Sequence, residues 1–134
     1  PDEGMIQMEV ETLDNNIQIT IRDYGVGITE TNRELIFGGF FHTQDTDMYS
    51  SKRPYQFNAG GAGADLLRIK VFSERMDFSV RFETTRCPYI PTDTDMCPGR
   101  ISDCKFIQNR EGCLKTGGST FFLDFPYSHR RLSR

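Results

Sequence analysis

The chain has 134 residues, 26% of them charged, and a net charge of −3, which makes one domain with a core and no room for a second. The mild negative charge gives no reason to expect a nucleic-acid partner. No stretch reaches the roughly 18 apolar residues of a membrane span, and "PDEGMIQMEVE" lacks the basic start and apolar middle of a signal peptide, so a cytoplasmic chain with no membrane contact is expected.

Strand sequence starts within five residues of the first position, as in a piece cut from something longer. Ile6, Met8 and Val10 alternate with Gln7, Glu9 and Glu11, and Ile17, Ile19 and Ile21 alternate with Gln18, Thr20 and Arg22. "LDNN" between the two runs has the residues of a hairpin turn, so an antiparallel pair with one wet face is predicted. Continuing the period past Ile21 puts Asp23 on the apolar face, where a carboxylate is costly unless something donates to it. A turn-capping aspartate is the plainer reading of that residue. Gly25 and Gly27 follow, implying close approach of backbone to another body. "TETNRELIFGGFF" predicts a short helix capped by Thr29 or Thr31 and ended by Gly38-Gly39.

Residues 42–59 are polar and aperiodic, a long loop of the functional kind. "GGAGADLLRIKVFSERM" then opens a helix with Leu66, Leu67, Ile69, Val71, Phe72 and Met76 as its apolar face. "DFSVRFETT" alternates as a strand, residues 87–116 form an irregular cysteine-bearing insertion, and "STFFLDFP" is the last strand before a basic tail. The expected fold is α+β, a two-layer sandwich whose mixed, mostly antiparallel sheet is covered on one face by helices.

Singly, each glycine cluster is weak evidence. In combination, "DYGVGI", "LIFGGFF", "GGAGADL" and "GGSTFFLDFP" resemble, in order, the motifs of the nucleotide-binding domain shared by gyrase, the ninety-kilodalton heat-shock chaperone, histidine kinases and the MutL repair protein. The histidine-kinase branch is the nearest. The matches are Asp23, Gly25, Gly27 and Ile28; Ile36, Phe37, Phe40 and Phe41; Gly60, Gly61, Gly63 and Leu66; then Gly118, Thr120, Phe121 and Pro126.

The resemblance implies an ATP site in which Asp23 accepts from the adenine amino group and rejects guanine, which presents a carbonyl instead. It implies that Gly25, Gly27 and Ile28 pass along the base and that residues 38–59 form a lid. Gly61, Ala62 and Gly63 would bring backbone amides to the triphosphate at a helix N-terminus, Thr120 would complete the site, and Mg²⁺ would accompany ATP. The expected parent is a bacterial sensor histidine kinase-like protein in two-component signalling, with a histidine-bearing dimerisation domain and a response regulator as partners. An anti-sigma-factor-like serine kinase and a degenerate, non-catalytic nucleotide- or protein-binding module are the alternatives.

Three features depart from the pattern. The family's catalytic glutamate and magnesium-holding asparagine belong to a helix before the first hairpin, so no catalytic residue is assigned within 1–134. Asp65 stands where a glycine is expected; a helix cap turned away from the nucleotide is preferred to a new metal ligand. His42 and His129 lie in no phospho-acceptor motif, and Lys52 and Arg53 read as solvated lid residues or as cations for the phosphates.

Cys87, Cys97, Cys104 and Cys113 lie within 27 residues, separated by nine, six and eight residues. A four-thiolate Zn²⁺ site would stabilise a segment with little apolar core, but these spacings match no common zinc knuckle. Free thiols and two disulfides remain open alternatives.

Overall fold

The computed structural model describes residues 4–38 and 65–126. Two strands, β1 (Ile6–Leu13) and β2 (Asn16–Asp23), form the predicted hairpin, with Leu13 opposite Asn16 across the two-residue turn Asp14-Asn15. On its other side β2 pairs with the last described strand, β4 (Gly118–Pro126), and β4 pairs with β3 (Ser79–Thr85). The order is β1-β2-β4-β3, and every pairing is antiparallel. Among the described residues there is thus no parallel pairing of the kind a mixed sheet would show.

Residues directly opposite one another share a face, so the register collects one apolar surface. Ile17, Ile19 and Ile21 lie opposite Phe125, Leu123 and Phe121, and the last two lie opposite Val80 and Phe82. Phe82 and Phe121 stack with centroids 5.7 Å apart, Phe37 meets Phe82 edge-on, and Phe78 stacks on Phe125 at 4.6 Å. Helix α1 (Asp65–Met76) packs against β3, with Leu66, Leu67, Ile69 and Val71 half-buried and Phe72 and Met76 exposed. On β1, Ile6, Met8 and Val10 share the face of the β2 isoleucines yet are 57%, 65% and 63% exposed.

The helix expected over residues 29–37 shrinks to a 3₁₀ turn, Glu30–Asn32, followed by turns up to Phe37. The physical reason lies at its start. Thr29 has the extended backbone of a cap, but its hydroxyl makes no capping bond and donates to the Asp93 carboxylate at 3.0 Å instead. Ile36, on the last of these turns, is buried.

The insertion is more ordered than its aperiodic sequence implies. It holds a 3₁₀ turn, Ile101–Asp103, that buries Ile101, and a short helix α2 (Arg110–Leu114). Asn109 caps α2 by accepting from the Gly112 amide at 2.6 Å, and Tyr89 stacks on Phe106.

Candidate functional site

Asp23 closes β2 on the apolar face, opposite Ile6, and is half-buried. Its Oδ1 accepts from the Gly25 amide at 2.9 Å and from the Ser119 amide at 3.3 Å. The first bond is the local turn cap of the plainer reading; the second ties the carboxylate to β4. Both fall on one oxygen, and Oδ2 takes part in neither. An ionised carboxylate has about four lone-pair directions, so an acceptor is held in place here with capacity to spare.

Ser119 is buried, and its hydroxyl lies 3.1 Å from that of Thr84. Thr84 Oγ1 donates to the Gly118 carbonyl at 3.1 Å and accepts from the Ile28 amide at 2.9 Å. Its single proton being spent on Gly118, Ser119 donates the bond between the two hydroxyls. Asp23, Ile28, Thr84 and Ser119 therefore form one connected polar group at the end of the sheet.

The glycines of this segment answer to the protein's own chain. Gly27 has φ +73°, and a Cβ there would lie 2.0 Å from the Thr85 carbonyl oxygen. Gly118 has φ +136°, and a Cβ there would lie 2.3 Å from the Asp23 carbonyl oxygen. The body expected to press on Gly27 is thus the end of β3. Gly25 is less confined, with Asp23 Oδ1 as the nearest atom to an added Cβ, at 3.1 Å.

Thr120 does not join Asp23. It lies on the opposite face, between Arg22 and Glu83 in register, and lines a cavity of about 260 Å³ with Arg22, Glu83 and Phe122. A shift of one residue along a strand reverses the face, so it is Ser119 that sits beside Asp23. Neither Ser119 nor Thr84 is marked by a motif; the sequence signal for Ser119 is the period-two continuation from Phe121, Leu123 and Phe125. Gly61, Ala62 and Gly63, all of the lid but Gly38, and His42, Lys52 and Arg53 lie outside the described residues. Asp65, at the first position of α1, is exposed and pairs with Arg68 at 3.1 Å.

The four cysteines are free and half-buried. Burial pushes the Cys113 thiol up from its ordinary value, and the nearby Cys97, Cys104 and Cys87 add to the effect. Cys104 Sγ accepts from the Ile107 amide at 3.4 Å. Among the described residues no three His, Cys, Asp or Glu side chains are grouped to hold a metal ion, so the zinc expectation finds no support and the sulfurs are neighbours without a ligand sphere. Nor, among the described residues, are three carboxylates grouped to hold Mg²⁺. No helix among the described residues is long and apolar enough to cross a membrane.

With this geometry in view, the chain belongs to the family of histidine kinase-, DNA gyrase B- and HSP90-like ATPases, whose pattern matches residues 1–129. Among solved structures it is similar to a mycobacterial sensor histidine kinase, MprB, at 17% identity and a TM-score of 0.54, over 94% of this chain and 60% of that one. It also matches the catalytic domain of histidine kinase ThkA at 18% identity and a TM-score of 0.47, over 92% of this chain and 53% of that one. The likeness to MprB is one of fold, and the chain spans less than two thirds of either structure. No curated protein matches the sequence.

Proposed function

We propose that this chain is the ATP-binding part of the catalytic domain of a bacterial sensor histidine kinase-like protein, working in the cytoplasm, and that Asp23 selects adenine. The observation that carries the reading is the Asp23 carboxylate, fixed through Oδ1 by two backbone amides while Oδ2 stays outside both bonds. A positioned acceptor at a half-buried site favours a ligand edge that donates. The adenine amino group donates; guanine offers a carbonyl at the same place and would set two acceptors against each other.

The segment 60–63 leads directly into α1, so backbone amides there would meet phosphate at a helix N-terminus. The Asp65–Arg68 pair partly offsets the negative charge that Asp65 brings to that end. Free thiols in the insertion suit a reducing compartment. In the parent protein, a histidine nitrogen of the dimerisation domain would attack the γ-phosphorus in line, ADP would leave, and the phosphoryl group would pass on to a response regulator. This chain's share is to hold base and phosphates, since such transfers rest largely on positioning and charge stabilisation. No catalytic base is assigned to it.

The test is calorimetric titration with Mg·ADP, with Mg·GDP as control, on the wild type and on Asp23→Asn. Saturable binding that prefers adenine, with the preference reduced about tenfold or more in Asp23→Asn, is expected. An unchanged preference in a folded Asp23→Asn variant would refute the role given to Asp23.

A further inference from the structure

The glycine loop after β2 is held by its own sheet through the Gly25 and Ile28 amides, which donate to Asp23 and Thr84. Here it is gripped from a second side by the start of the insertion. Arg86 spends three nitrogens on three carbonyls: Nη1 donates to Gly27 at 2.9 Å, Nη2 to Thr92 at 2.7 Å, and Nε to Ile90 at 2.5 Å. Its planar fork thereby joins the glycine loop to residues 90–92. The next amide, Cys87, donates to the Val26 carbonyl at 2.7 Å. One residue past Thr92, the Asp93 carboxylate accepts from the Thr29 hydroxyl through both oxygens and from Asn32 Nδ2 at 2.8 Å. Charge-assisted bonds thus bracket Ile28, one at Gly27 and one at Thr29, and such bonds are the stronger class.

We propose that Arg86 and Asp93 are positioning residues for the adenine-binding loop, so that residues 86–95, Arg86 and the start of the insertion, are a working part of the nucleotide site. The proposal rests on the reading of Asp23 given above. Two glycines in three residues give an unclamped loop many conformations, and a ligand that needs only one of them binds weakly because it must order the rest. The Arg86 and Asp93 bonds remove that disorder before the ligand arrives. Linkage then requires the reverse effect: nucleotide bound at Asp23 must tighten the bonds to residues 86–95.

The experiment uses the full 134-residue chain as wild type, Arg86→Lys and Asp93→Asn. Lysine keeps the charge and loses the fork, whereas asparagine keeps one acceptor oxygen and loses the charge. Mg·ADP titration is paired with thermal melts, and hydrogen exchange is followed at the Cys87 amide with and without Mg·ADP. Arg86→Lys is expected to weaken Mg·ADP about tenfold at a temperature where it is fully folded, and Asp93→Asn to weaken it less. Exchange at Cys87 is expected to slow on Mg·ADP binding in the wild type and to slow less in the variants. A merely structural role would lower the melting temperature alone.

Equal Mg·ADP affinity in the folded variants, or Cys87 exchange indifferent to Mg·ADP in a wild type that binds it, overturns the proposal and leaves the Asp23 reading standing. Failure of the wild type to bind Mg·ADP overturns both. Should Arg86→Lys not fold, Asp93→Asn decides alone, since Asp93 is exposed and its loss is tolerable to the fold.

Discussion

The two glycines of "DYGVGI" predict opposite outcomes for the same substitution. In Gly27→Ala the new methyl must occupy left-handed backbone, at a cost of about 1–2 kcal/mol. It would also stand 2.0 Å from the Thr85 carbonyl oxygen, a contact that no rotamer relieves because a Cβ has none. Relief requires the end of β3 to retreat, which breaks the Arg86-to-Gly27 and Cys87-to-Val26 bonds, each worth about 1 kcal/mol. The sum is roughly 3–4 kcal/mol, a large part of the 5–15 kcal/mol typical of a domain. In Gly25→Ala the nearest atom is Asp23 Oδ1, 3.1 Å away, a side-chain atom rather than backbone. A few tenths of an ångström of give in that carboxylate relieves the contact, so stability falls by less than about 1 kcal/mol and the loss shows in Mg·ADP affinity through the displaced acceptor. Urea titration followed by circular dichroism, with calorimetry on the same samples, separates the two. A Gly27→Ala midpoint equal to that of the wild type, or equal stability losses in the two variants, would refute the reasoning.

Ser119→Ala removes the proton donated to Thr84 and is expected to cost about 1 kcal/mol in urea titration, with Mg·ADP binding weakened but adenine preference kept, because the Ser119 amide still reaches Asp23. The raised Cys113 thiol binds its proton more tightly in the folded chain than in the unfolded one. Stability from this group is therefore complete below the unfolded thiol value of about 8.5 and is lost as pH rises through the folded value. Urea midpoints should fall as pH rises above about 8.5 in the wild type and fall less in Cys113→Ser. Iodoacetamide at neutral pH should label Cys113 more slowly than an unfolded-chain thiol; labelling at the unfolded rate would contradict the burial assigned to it.

Period-two runs carried the sheet: the Ile6–Val10 and Ile17–Ile21 alternations gave the hairpin, and Phe78, Val80 and Phe82 gave β3. The same counting placed Asp23 on the apolar face. What escaped was everything set by side chain-to-backbone bonds between distant segments. Thr29 reads as a helix cap until Asp93, distant in sequence, takes its hydroxyl, and the helix then dwindles to a turn. Arg86 and Asp93 lie in no periodic run, so their grip on the glycine loop has no local signature. The motif match rests on residue type and the pleat on parity, so Thr120 and Ser119 stand on opposite faces of the sheet. The cysteines were legible as a cluster and not as a chemistry, since proximity in sequence says nothing of ligand geometry.

The strand order carries a consequence for how such a chain is made. β4, the last described strand, lies between β2 and β3, so neither the hairpin nor β3 has a sheet to join until it arrives. On the ribosome, the 96 residues that follow Asp23 up to and including Ser119 take roughly 5–20 s to synthesise. Throughout that interval the isoleucines of β2 lack their β4 partners, as Phe82 of β3 does once it is made, a window open to chaperones and to misassociation. The Asp23 carboxylate likewise waits for its Ser119 amide, so one late event finishes both the sheet and the acceptor. A nascent chain halted before Gly118 would carry nearly all the recognisable motifs and an Asp23 carboxylate without its Ser119 amide.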